Sequence, residues 1–85
     1  MKLLSQSAAT NQTRNFVYFA ANYPTNFIHQ CWSDEKETLT HIRFRFIQYN
    51  EASDSPTTAF FRWFFSLSER HQSKLINWVN VHYKG

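Results

Sequence analysis

Three side chains able to ligate a metal or act in nucleophilic chemistry fall within a short stretch: His29, Cys31 and His41. On an extended segment His29 and Cys31 project from the same side, and His41 falls on the segment read below as the next strand. Three such ligands suit a zinc-type site, but a one-residue slip in pairing sends His41 to the opposite face. The plainer reading is a set of unliganded side chains, so neither a metal nor a cofactor is expected. Cys31 is the single cysteine, which excludes an internal disulfide and a thiolate-rich cluster, and no nucleophile signature surrounds it. A reducing, cytoplasmic setting follows as the expectation. Asp34-Glu35-Lys36 has the D-x-K spacing of metal-dependent nucleases. No acidic residue precedes Asp34, so the cluster reads as a solvated turn.

A second constellation is basic. His41, Arg43, Arg45 and Tyr49 fall at alternate or every-fourth positions. On a strand they line one wet face at intervals of roughly 6 to 7 Å or twice that, with donors and a ring of the kind that grips phosphates and stacks bases. The plainer reading is a solvated sheet face. The net charge of +3 lies wholly in the half from His41 onward, which permits polyanion contact without demanding it.

The third constellation is aromatic. Nine Phe, four Tyr and three Trp outnumber the aliphatic Leu, Ile and Val, while charged residues are only 18% of the chain. Ring packing must therefore carry the core. In Phe60-Phe61-Arg62-Trp63-Phe64-Phe65, helical spacing spreads the rings over an arc near 200°, wider than one supporting layer covers. Phe60, Trp63, Phe64 and Leu67 suit a sheet beneath, leaving Phe61 and Phe65 for a following helix or a partner. Further on, Leu75, Ile76, Trp78, Val79 and Tyr83 make a second apolar face, with His71 and His82 on the same side. These two histidines lie roughly 16 Å apart along a helix, too far to share a metal ion.

The elements that would position these groups are read as follows. At 85 residues the chain makes one domain, expected to bury roughly 9,500 Å² on folding. Residues 1–13 read as a polar tail and 14–85 as a single domain. The lone glycine is terminal Gly85, which excludes glycine-built phosphate loops and, with them, a nucleotide cofactor. No apolar run suits an export signal or a bilayer span, so no membrane association is expected. Asn15–Ala21 reads as a strand, although Phe16, Phe19, Ala20 and Tyr23 also fit helical spacing. Asn26–Trp32 then forms a hairpin with Thr38–Tyr49, where Ile42, Phe44 and Phe46 alternate with His41, Arg43 and Arg45. Ser55-Pro56 gives a helix cap and first turn. Ser66-Leu67-Ser68-Glu69 resembles a capping box that starts a second helix, the alternative being one helix from Pro56 to about Tyr83.

The predicted fold is thus α+β: a short antiparallel sheet of about three strands followed by two C-terminal helices packed on one face. The predicted function is a small non-enzymatic binding protein, a regulator, adaptor or inhibitor, that engages a protein partner or its own copy. Its candidate contacts are Phe61, Arg62, Phe65, Trp78 and Tyr83. An RNA- or DNA-binding module centred on His41, Arg43, Arg45 and Tyr49 is the alternative, and a metal-independent ribonuclease using His41 or Arg43 ranks behind both.

Overall fold

The computed structural model describes residues 11–83, with side chains described from Arg14 onward. The order is α1 (Asn11–Asn22), α2 (Phe27–Cys31), α3 (Lys36–Ala52), α4 (Pro56–Ser66) and α5 (Glu69–His82). There is no strand among the described residues, which overturns the α+β expectation. All three expected strands, Asn15–Ala21, Asn26–Trp32 and Thr38–Tyr49, are largely helical. The two C-terminal helices are present, but they pack on other helices and not on a sheet. Of the tail expected over residues 1–13, residues 1–10 lie outside the described residues, and α1 begins at Asn11.

In two of the three segments the correction has a local physical cause. In α1, Phe16, Phe19 and Ala20 are buried and Tyr23 just beyond is half-buried, the helical spacing that competed with the strand reading. In α3, Leu39, Ile42, Phe46 and Tyr49 recur at intervals of three and four, and these four face the core. The apparent period of two over Ile42, Phe44 and Phe46 arises because Phe44 adds an apolar residue on the other side of the helix. At 100° per residue, Phe44 lies about 160° from both Ile42 and Phe46.

α4 sits at the centre. It packs along α3 and against α1, while α5 packs on α1 and α2. Phe60 meets Phe16 and Phe19 of α1 at 5.6 and 5.9 Å between ring centroids, Tyr23 at 5.3 Å and Phe27 of α2 at 5.9 Å. Trp63, one turn on, meets Phe27, Trp32 and Phe46 edge-on. Its indole Nε1 donates to the Ile42 carbonyl at 3.1 Å, which ties α4 to the middle of α3.

The connections explain how a chain without interior glycine turns so often. No described residue has positive φ. The turns use extended caps instead: Ser53 ends α3 at φ −118°, ψ 151°, and Leu67 ends α4 at φ −76°, ψ 156°. Ser55 caps α4 by accepting from the Thr58 amide at 3.1 Å, with Pro56 at the first helical position. Ser68, not Ser66, caps α5 by accepting from the His71 amide at 3.3 Å. Ser66 instead donates to the Trp63 carbonyl. Buried Gln72 completes the corner, its Nε2 donating to the Phe64 and Leu67 carbonyls at 3.1 Å each, so the end of α4 is satisfied by α5.

An ion cluster holds the start of α3 against α5. Glu35 precedes α3 but makes no side-chain cap. Its carboxylate instead takes hydrogen bonds from Lys74 and, at 3.2 Å, from Arg70, while Asp34 accepts from Lys74 at 2.9 Å. The Lys74 hydrogen bond is the main cause that lowers the Glu35 carboxyl to about 2. Because folding depresses this pKa, its contribution is complete above the ordinary glutamate range and is lost as pH falls toward 2. Glu35→Gln should therefore lower the melting temperature at pH 6 to 7. Thermal unfolding followed by circular dichroism should show the gap between parent and variant narrowing below pH 4.5 and closing near pH 2; a gap that does not change with pH contradicts this assignment.

Candidate functional site

α3 is the element on which surface chemistry collects. Its residues divide into three stripes. Leu39, Ile42, Phe46 and Tyr49 face the core. His41 and Arg45 run along one flank beside the corner between α4 and α5, and Gln48 continues that flank along α3. Thr40, Arg43, Phe44 and Ile47 occupy the outward side, where with the edge of Leu39 they line a shallow groove.

The outward stripe is an apolar surface that folding does not explain, and Val17, Tyr18, Phe65 and Val81 are exposed on other helices. Phe44 is 62% exposed and Ile47 45%, although the core takes most of the chain's other rings. Phe44 points away from the hydrophobic cluster that its own helix helps to form. Arg43 stands beside it, and among the described residues no carboxylate lies within 4.0 Å of Arg43, Arg45 or Arg62. By contrast, Arg70 and Lys74 are bound into the cluster with Asp34 and Glu35.

The flanking stripe lines a cleft of about 310 Å³ between α3 and the α4–α5 corner. Ile42 and Leu67 supply its apolar part, and Thr38, His41, Arg45, Ser68 and His71 supply its polar part. Arg70 and His71 come within 3.0 Å, between the guanidinium and the imidazole Nε2. A guanidinium can only donate, so Nε2 accepts and the neutral ring carries its proton on Nδ1. Burial, then the Arg70 charge, lowers the His71 pKa, opposed by Glu35 at 4.0 Å. His71 also lies edge-on to the buried Trp32 ring.

The residues singled out from the sequence are distributed differently from the expectation. The expected line of His41, Arg43, Arg45 and Tyr49 does not form, because the helix sends Arg43 to the far side from His41 and Arg45. Of the five expected partner contacts, Trp78 and Tyr83 place their rings on Phe19 at 5.9 and 5.1 Å. Phe61 is half-buried beside Phe16 of α1, where a following helix or a partner was the expected cover. Phe65 is 46% exposed and stacks on Phe61, and Arg62 is exposed. Of the two histidines that the sequence places on the apolar side of α5 and so partly buried, His71 is partly buried but His82 is exposed and stacks on Trp78.

Sequence reasoning missed Phe44 and Ile47 as surface residues, and Ser68 and His71 as neighbours of α3. The first pair was detectable from the three-and-four spacing of Leu39, Ile42, Phe46 and Tyr49. The second depends on how α4 packs on α3, which no local pattern encodes.

His29 is exposed and Cys31 buried on α2, so the two do not converge. Among the described residues no group of three or more His, Cys, Asp or Glu is placed to hold a metal ion. Also among them, no helix is long and apolar enough to cross a membrane. Compared with protein-family models, curated proteins and solved structures, the chain matches none.

Burial pushes the Cys31 thiol up to about 12, so it is protonated and shielded at neutral pH. Native protein at pH 8 should react with a thiol-specific disulfide reagent at least about a hundredfold more slowly than protein unfolded in denaturant. Equal rates in the two states contradict the placement of Cys31.

Proposed function

We propose that the chain is a small, non-enzymatic, cytoplasmic protein-binding module that docks its partner on the outward side of α3. The observation that carries this is the exposure of Phe44, opposite the core-facing side of the same helix. An exposed ring with an apolar neighbour and an unpaired arginine has the composition of an interface anchor: the ring supplies buried area, and the guanidinium recognises a carboxylate. Phe44 enters an apolar pocket of the partner, Ile47 packs at its edge, and Arg43 meets an acidic side chain. Trp78 and Tyr83 leave the list of contacts because their rings complete the core around Phe19. The single cysteine supports the compartment, since a buried thiol suits a reducing setting.

Photo-cross-linking in the native host tests the reading directly. A photoreactive phenylalanine analogue at position 44 should join the chain to a discrete partner, and the same analogue at position 65 should not. Phe44→Ser should reduce recovery of that partner about tenfold or more while leaving the helical circular dichroism unchanged. Cross-links from position 65 alone, cross-links only between copies of the chain, or none from position 44 would overturn the proposal.

A further inference from the structure

The cleft beside α3 is separate from the docking side, and we infer that it binds a small organic phosphate monoester. Two packed elements build it. α3 contributes Thr38, His41, Ile42 and Arg45, and the α4–α5 corner contributes Leu67, Ser68 and His71. Its volume of about 310 Å³ is at the lower end of the range for small-molecule sites.

Charge selects an anion. No carboxylate lines the cleft, and among the described residues none lies within 4.0 Å of Arg45. Among the acidic residues that border it, Glu35 stands 4.0 Å from His71, and Glu37 and Glu69 adjoin the lining Thr38 and Ser68 in the chain without an ion pair to Arg45. Glu35 is already engaged by Lys74 and Arg70, and with Asp34 the four charges of that cluster cancel. Arg45 therefore brings to the cleft a guanidinium that no ion pair occupies. A guanidinium, two imidazoles and two hydroxyls offer more donors than a carboxylate's two oxygens need, and they suit the three terminal oxygens of a phosphate monoester. Ile42 and Leu67 give the organic part an apolar surface, which a bare phosphate ion leaves unused.

The corner keeps its shape without a ligand. Ser68 is fixed by its cap to the His71 amide, and Gln72 pins the Phe64 and Leu67 carbonyls from below. Binding thus requires little ordering of the backbone.

Titration of the purified full chain with phenyl phosphate, followed by calorimetry and by amide shifts in nuclear magnetic resonance, tests the site without any protein partner. Saturable binding is expected with a dissociation constant of about 1 mM or tighter, with shifts centred on Arg45, Ser68 and His71. Inorganic phosphate and benzoate should each bind about tenfold more weakly. Arg45→Met should weaken phenyl phosphate about tenfold or more, whereas Arg43→Met, on the far side of α3, should leave it within about twofold. Both arginines are exposed, so both variants retain the fold. No saturation by about 10 mM, equal losses in the two arginine variants, or benzoate binding as tightly as phenyl phosphate would overturn the inference.

Discussion

The contact of Phe60 and Trp63 with rings from α1, α2 and α3 is the interaction on which the rest of the molecule depends. Phe60 touches Phe16, Phe19, Tyr23 and Phe27, and Trp63 touches Phe27, Trp32 and Phe46. Helices this short are marginal in water and are stabilised by the apolar face they bury. Each fully buried ring contributes about 1.5–3 kcal/mol, and tilted or edge-on pairs add about 1 kcal/mol. A domain of this length has a net stability of only about 4–13 kcal/mol. One ring lost from the centre of α4 costs a large part of that total, and it loosens several helices at once.

That centre also determines what the surface can do. Because α4 holds α3 through Phe46, Ile42 and the indole hydrogen bond of Trp63, α3 cannot rotate about its axis. The other two stripes of α3 are thereby fixed in direction, one outward with Arg43, Phe44 and Ile47, the other toward the α4–α5 corner with His41 and Arg45. The Asp34–Glu35–Lys74–Arg70 cluster fastens the beginning of the same helix. Phe44 and Arg45 are neighbours in sequence yet serve different surfaces. The helix alone separates them.

Some of this architecture was legible in the residues. Ser55-Pro56 marks the start of α4, the rings of 60–65 mark the centre of the core, and Phe16, Phe19, Ala20 and Tyr23 already carry the helical spacing of α1. The sheet was a misreading with a definite cause: Phe44 turned a spacing of four between Ile42 and Phe46 into an apparent alternation. A chain usually hides a phenylalanine, so an exposed one corrupts the very pattern by which helices are told from strands. The capping serine lies two residues beyond the expected one, because Ser66, which has the capping-box spacing to Glu69, still belongs to α4, whereas Ser68 has the extended backbone of a cap. The cleft was illegible for a different reason. Its two halves come from segments more than twenty residues apart, brought together by ring packing that carries no local signature.

Comparing Phe46→Ala with Phe44→Ala by denaturant unfolding tests the central claim, because the two residues share one face on a strand and opposite faces on this helix. With α3 packed through Phe46 on Tyr23, Phe27 and Trp63, Phe46→Ala should cost about 2 kcal/mol or more, and Phe44→Ala less than about 0.5 kcal/mol. Equal losses from the two substitutions would place both rings in the core and contradict the account.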